Sequence, residues 1–386
     1  MALLFITSRY PYPLLKGDQV RAHHQIRALA KKGHEVILVT FDNGQRNPDF
    51  EKVCKAVYLI KPPSRTNIAV QLTRLAFSQK PLQLAFFQSA NMSQAIERAI
   101  QDHHPHAAVL QLSRMGHYLQ HLQKHNLPTL LDLIDSLAMN IDLKAKKAAF
   151  PVSALWWLEA KRLHAYELSA VAAVAAATVV SQKDKDYLKH PTIAVSPNGV
   201  RSSPLPTQPR EEATLLFHGN MSYYPNVEAA TFLVKQVMPI VWKTLPQCKV
   251  QLVGATPAKE ILELTSENVQ VTGFVEDVQP FLASATLGVY PILRATGIQN
   301  KILEAMMHGL PVITTSTVAE GIGQGCANKY FYAADRAEDI ATGVLKLLEN
   351  AQLRNTFAEA GRTLVLEYYT WEKAVAEIES LLGKSS

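Results

Sequence analysis

The chain has 386 residues, 48% of them apolar and 19% charged, with a formal net charge of +6. That length accommodates two domains with separate cores, in the composition range of a soluble globular enzyme. No run of 18 apolar residues occurs, so no transmembrane helix is expected, and residues 1–7 are too short for a signal peptide. Cys54, Cys248 and Cys326 match no zinc spacing and read as reduced thiols of a cytosolic protein. The positive balance lacks a long Lys/Arg run with interleaved aromatics, which argues against nucleic acid. An anionic membrane face and a diphosphate ligand remain to account for it.

In chain order, residues 3–7 read as a buried strand, Pro11 to Gly17 as a loop, 18–32 as a helix and 33–40 as a second strand. This is a parallel crossover unit with its glycine loop at a strand's carboxyl end. Residues 67–87 place apolar side chains at helical spacing around Arg74 and Lys80. A core helix and an amphipathic excursion with a basic face both fit. A helix over 91–101 and a strand over 107–111 follow. His103, His104 and His106 lack metal-pair spacing and read as exposed loop histidines.

Residues 127–135 form a strand ending in Asp132 and Asp135, which are three apart and cannot share a face of a straight strand. Asp135 lies nearer the carboxyl end. Residues 141–157 mix Lys144, Lys146 and Lys147 with Phe150, Leu155, Trp156 and Trp157. That mixture suits a membrane interface or a lipid-linked acceptor, and also plain helix packing. Glu159, Arg162, Tyr166 and Glu167 share a long helix at contact spacing. Asp184 and Asp186 open a helix after residues 178–181 and read as capping groups rather than metal ligands. Residues 201–209, rich in proline, read as a linker.

The second half restarts with a strand over 213–217, then His218-Gly219-Asn220 and a helix over 227–245. Strands over 249–253, ending at Gly254, and 269–272 come next, followed by Gly273-Phe274-Val275-Glu276-Asp277. A strand over 286–291 leads through Gly297 to a helix over 298–308, stopped by Gly309 and Pro311, and a strand over 311–315. Gly297 thus falls at a strand's carboxyl end, where open α/β sheets bind ligands. Free amides at the helix start favour an anion, Lys301 adds a full charge, and Glu304 reaches groups that want an acceptor, such as ribose hydroxyls. Together they describe a nucleotide-sugar site; a common crossover helix with a solvated lysine and glutamate is the alternative. Helices over 336–348 and 353–367 close this half, and Trp371 opens a last helix.

Gly297-x3-Lys301-x2-Glu304-Ala305-x3-Gly309-x-Pro311-Val312 resembles the donor-site signature of family 4 (group 1) glycosyltransferases. Pro11-x-Pro13-x3-Gly17-x3-Arg21-x7-Leu29-x3-Gly33-His34-x-Val36 resembles their opening. The resemblance implies the GT-B fold: an α/β chain of two Rossmann-like domains facing across a cleft. Residues 1–200 would form the acceptor side, 201–370 the donor side, and 371–386 a helix packing back on the first domain. It implies retaining transfer of a sugar from a UDP- or GDP-sugar to a hydroxyl of a glycan or lipid-linked acceptor, without metal or cofactor. The setting would be cell-surface polysaccharide or glycolipid synthesis in the cytoplasm, at the inner face of the membrane.

By the same resemblance, Gly17 lets its loop approach a substrate, and Arg21 contacts a phosphate or is an exposed helix arginine. Gly219, Asn220 and Gly254 belong to donor-side loops, and Phe274 and Val275 to the loop whose backbone contacts the base. Gly297, Ile298, Gln299, Asn300, Lys301, Ile302 and Glu304 hold the donor, and Glu320-Gly321 fits a further loop. Asp135 occupies the neighbourhood where many relatives place a histidine facing the sugar; with Lys301 it forms the catalytic pair. Thr296 replaces the first of two glutamates eight positions apart, and Ser222, Tyr223 and Tyr224 carry no charge where relatives carry a base. A GT-B sugar-nucleotide epimerase and a non-catalytic nucleotide-binding subunit are the alternatives.

Overall fold

Among the described residues, short apolar, β-branched runs become thirteen strands in two sheets whose neighbouring strands pair in parallel. Parallel strands need helical crossovers that cover both faces, so such runs read as continuous apolar stretches rather than alternating ones. The computed structural model describes residues 1–207, 209–294, 298–323 and 325–383, the side chain of Leu381 excepted. It divides into a first unit, Met1–Asn198 with Trp371–Ser386, and a second, Gly199–Thr370.

The first unit contains β1 (Ala2–Thr7), β2 (Glu35–Phe41), β3 (Ala56–Ile60), β4 (Ala107–Gln111), β5 (Thr129–Ile134), β6 (Ala176–Val179) and β7 (Ile193–Val195), in the order β3-β2-β1-β4-β5-β6-β7. β3 is half-buried at the edge, and the sequence pattern gave no sign of it. The helix Gly17–Lys31 covers one face with the C-terminal helix Trp371–Gly383 beside it. Trp371, Val375 and Ile378 join Leu3, Phe5, Ile26 and Leu38 in one core. Burying Val375 and Ile378 contributes about 2 kcal/mol each.

Two stretches singled out in the sequence each cover two helical pieces. Residues 67–87 split into the helix Arg65–Ala76 and a 3₁₀ turn, Leu82–Phe86. Of the helix only Leu75 is buried, which rules out a core helix. Residues 141–157 span the end of the helix Leu137–Lys147 and the start of Val152–Ala172, packed as a hairpin. Trp156 packs against Ala138, Ile141, Ala160 and Leu163, whereas Phe150, Leu155 and Trp157 are exposed. The helix-packing reading therefore holds for Trp156, while Phe150, Leu155 and Trp157 stay in solvent. Among the described residues no helix is long and apolar enough to cross a membrane.

The second unit contains β8 (Thr214–His218), β9 (Lys249–Val253), β10 (Val269–Gly273), β11 (Leu287–Tyr290), β12 (Val312–Thr314) and β13 (Tyr332–Ala333), in the order β10-β9-β8-β11-β12-β13. The helix predicted over 227–245 starts at Tyr224 and passes through one π turn, Leu233–Val237. Glu320 and Gly321, expected in a loop, lie in the helix Ser316–Ile322.

Candidate functional site

In the second unit the strand order reverses between β8 and β11. Open parallel sheets bind ligands at the carboxyl ends of strands beside such a switch. β8 runs into Gly219 and Asn220, and β9 runs into Gly254. A Cβ on Gly254 would lie 1.7 Å from the Gly219 carbonyl oxygen, so these turns can meet only with glycine at position 254. Asn220 folds its own turn, its Oδ1 accepting from the amide of Ser222 at 2.9 Å and its hydroxyl at 2.8 Å.

The helix after β11 is Asn300–Met307, two residues shorter at its start than predicted. Gln299 is its N-cap, in extended conformation, and contributes no side-chain cap; Ile298 precedes it. Gly297 and Thr296 lie outside the described residues. The first turn of a helix has no internal acceptors for its amides, which leaves those of Asn300 and Lys301 available to an anion. Ile302 was read as a donor contact, but its side chain is buried in the core and its amide donates to the Gln299 carbonyl at 2.9 Å. At the far end of this helix Arg210 donates to the carbonyls of His308 and Gly309, at 2.8 and 2.9 Å, and Arg362 to that of Met307. Cations at the carboxyl end leave the positive end of the dipole for a ligand.

Lys301 donates to Asn226 Oδ1, and its ammonium lies 5.7 Å over the Phe217 ring. Asn226 Nδ2 in turn donates to the Asn220 carbonyl at 2.8 Å, so one buried amide ties the lysine to the glycine turn. Burial lowers the Lys301 pKa to about 8, against a smaller opposing pull from Glu304. Glu304 is part-exposed, with Oε2 3.3 Å from His218 Nε2, while His218 Nδ1 is 2.7 Å from the Tyr290 hydroxyl. Phe274 is exposed just past the end of β10, and Val275 is half-buried against the core. Gly219, Asn220, Gly254, Lys301 and Glu304 therefore share one end of one sheet. Asn226, His218 and Tyr290 belong with them; His218 and Pro225-Asn226 lie in the stretch that resembles the family's first donor-side loop, but none of the three is expected from sequence as a donor contact. The signal for Asn226 was its place just after Pro225 in the first turn of a helix.

The remaining candidates lie in the first unit. Arg21 is neither a phosphate ligand nor an exposed arginine. It is fully buried, its Nε 2.7 Å from Asp132 Oδ2 and its Nη2 3.1 Å from Oδ1, and Nη1 donates to Asn198 at 3.0 Å. Gln25 and Thr178 complete the shell around Asp132. Gly17 is exposed, with open space around it. A register shift after Asp132 and a left-handed Ile134 bend the end of β5, which turns Asp132 inward and leaves Asp135 exposed. Desolvation by the surrounding protein, and then Asp184, raise the Asp135 pKa to about 6.

Asp184 accepts from the Ser136 amide at 2.9 Å, and Asp186 from Gln182 at 2.7 Å; Ser181 is the helix cap. Among the described residues no group of three His, Cys, Asp or Glu side chains is placed to hold a metal ion. Glu159 accepts from the amides of Leu82 and Gln83, and Glu167 from Ser113, Ser136, Leu137 and Ala138. Both glutamates are structural.

Residues 212–350 match the family described as Glycosyl transferases group 1. An uncharacterized glycosyltransferase of Methanocaldococcus jannaschii is 22% identical over 124 residues, 31% of each chain, so the match spans about a third of that curated relative. Among solved structures, sucrose-phosphate synthase from Thermosynechococcus elongatus superposes with a TM-score of 0.65 at 16% identity, covering 99% of this chain and 98% of its own. TarM gives 0.67 at 12%, with 99% and 98% covered. HepE from Anabaena, in complex with UDP and glucose, gives 0.63 at 13%, with 99% of each chain covered.

Proposed function

We propose that this chain, which has the GT-B fold, is a glycosyltransferase of the group 1 type that moves a sugar from a nucleoside diphosphate sugar to an acceptor hydroxyl. One observation carries this reading. Lys301, at the open start of the Asn300–Met307 helix, is held by Asn226 against the Gly219–Gly254 contact at the strand switch. Its ammonium lies 3.6 Å from where a Cβ on Gly219 would be, so a diphosphate approaching that turn meets the charge directly. As the sugar leaves, negative charge grows on the β-phosphate. The first-turn amides and Lys301 are fixed in advance to receive it, which is where preorganised donors act most strongly. Glu304, oriented by His218, suits the ribose hydroxyls.

Asp135, whose carboxyl titrates near 6, is the group we assign to the reacting face of the sugar. The transfer we propose retains the anomeric configuration and needs no metal. UDP, present in the HepE complex, is the nucleotide to try first, and GDP the second. The acceptor is a glycan or a lipid-linked hydroxyl, used in cell-surface polysaccharide or glycolipid synthesis at the cytoplasmic face of an anionic membrane. The exposed tip of the helical hairpin supports that location: Phe150, 85% exposed, stands between a helix carrying exposed Lys144 and Lys147 and one carrying exposed Leu155 and Trp157. Aromatic and basic side chains together favour the headgroup region.

Incubation with candidate nucleotide sugars tests the reaction. Free nucleotide released only when acceptor is present supports transfer. An isomerised donor means an epimerase, and binding without turnover means a nucleotide-binding subunit.

A further inference from the structure

Between the helix Arg65–Ala76, the turn Leu82–Phe86, the helix Ala90–His103 and the helix Val152–Ala172, the first unit has an open cavity of about 800 Å³. Its walls carry Arg74, Lys80, Gln88, Asn91, His117 and Tyr166, and among the described residues no carboxylate. The Tyr166 hydroxyl is buried without a hydrogen-bond partner. Burial lowers the His117 pKa to about 4, so its ring is uncharged at neutral pH. Two cations with uncharged donors and no opposing carboxylate make a site for an anion. The cavity is far larger than a single ion requires.

Its position adds a second property. Phe77, 95% exposed, lies three residues after Arg74 and three before Lys80. Arg162 donates to the Ala76 carbonyl at 3.4 Å and ties this end of the helix to Val152–Ala172, the helix that also carries exposed Trp157. A cationic cavity with an aromatic ring held in solvent three residues from each of its two cations fits a ligand that is anionic at one end and apolar at the other.

We propose that this cavity receives the phosphate headgroup of an anionic membrane lipid while Phe77 enters the apolar layer beside it. The inference rests on the membrane location proposed above and goes further by making the docking headgroup-specific. Arg74 and Lys80 take the phosphate, and the amides of Gln88 and Asn91 with the Tyr166 hydroxyl take the headgroup's own polar atoms.

The test uses the full chain and two probes. Vesicles of phosphatidylglycerol, compared with vesicles of phosphatidylcholine, report membrane binding. Monomeric short-chain phosphatidylglycerol, titrated calorimetrically, reports the cavity without a charged surface. The parent should float with the anionic vesicles and bind the short-chain lipid saturably. R74Q/K80Q should weaken that short-chain binding about tenfold or more, the loss of at least one charge-assisted contact. K144Q/K146Q, on the hairpin, should leave it unchanged. If the double variant does not fold, K80Q alone reads the same arm. A parent that floats but shows no saturable short-chain binding, or a cavity variant that binds like the parent, overturns the cavity proposal and leaves the membrane reading standing. A parent that fails to float on anionic vesicles overturns the membrane reading and this proposal with it.

Discussion

Gly254 approaches Gly219 so closely that a Cβ on the first would lie 1.7 Å from the carbonyl oxygen of the second. Gly254 also has a φ of +154°, a backbone conformation that side chains disfavour. Gly254→Ala should therefore push the two turns apart, at a cost of about 3 kcal/mol for an overpacked, strained site. The melting temperature should fall, and the donor KM should rise because Asn220 and Lys301 share Asn226. An alanine variant with parental stability and donor KM would mean that the turns have room to move.

Arg21 and Asp132 form a fully buried pair, and removing one partner strands the other charge. Arg21→Met should destabilise the first unit by about 3–5 kcal/mol, whereas the double change to Met and Leu should recover part of that loss. Denaturant unfolding of the three proteins decides it. A near-neutral single change would show that water or Asn198 satisfies Asp132 instead.

The burial of that arginine also marks where sequence reading stopped. A helix arginine one turn after a glycine loop looks the same whether it faces solvent, a phosphate or a carboxylate 111 residues away. The site at the strand switch was more legible. Gly219, Gly254, Lys301 and Glu304 each carry a local signal: a glycine at a strand's end, or a charge at helical spacing from one. Asn226, His218 and Tyr290 act through contacts with elements distant in sequence, so the local pattern that puts His218 at a strand's end and Asn226 in a helix's first turn does not reveal what they hold. The edge strands β3 and β13 were missed for a related reason. β3 is only half-buried and β13 is two residues long, too little to impose a strand pattern. The sheet interiors, buried on both faces, left continuous apolar runs that could be read directly.

Two perturbed groups set a pH profile. Lys301 has its pKa lowered to about 8 and must be charged to receive phosphate, so kcat/KM for the donor should fall above about pH 8. Because the folded value lies below the unfolded one, this group's contribution to stability rises with pH between about 8 and 10.5, opposite to the activity. Asp135, raised to about 6, should impose a fall in activity below about pH 6 if its anion faces the sugar. Asp135→Asn should lower kcat and remove that acid limb, and Lys301→Arg should remove the alkaline one. A profile flat from pH 5 to 9 in the parent would contradict both assignments.

The hairpin tip makes a separate prediction about location. Phe150→Ser with Trp157→Ser should leave the unfolding free energy within about 1 kcal/mol of the parent, since neither ring is buried. Flotation with anionic vesicles should drop severalfold, and added salt should weaken the parent's binding by screening its lysines. Flotation unaffected by the double change would place the membrane contact elsewhere.

The central claim is that the start of the Asn300–Met307 helix holds the donor's diphosphate, and steady-state kinetics on Lys301→Met and Glu304→Gln test it most directly. A charge-assisted contact from a largely desolvated ammonium contributes about 2–3 kcal/mol. Lys301→Met keeps most of the stem, so the fold should hold while kcat/KM falls about 30- to 150-fold. Glu304→Gln should raise the donor KM more than it lowers kcat, because a hold on ribose is the same in ground and transition states. Parental donor kinetics in both variants, at matched melting temperature, would place the nucleotide site somewhere other than this helix.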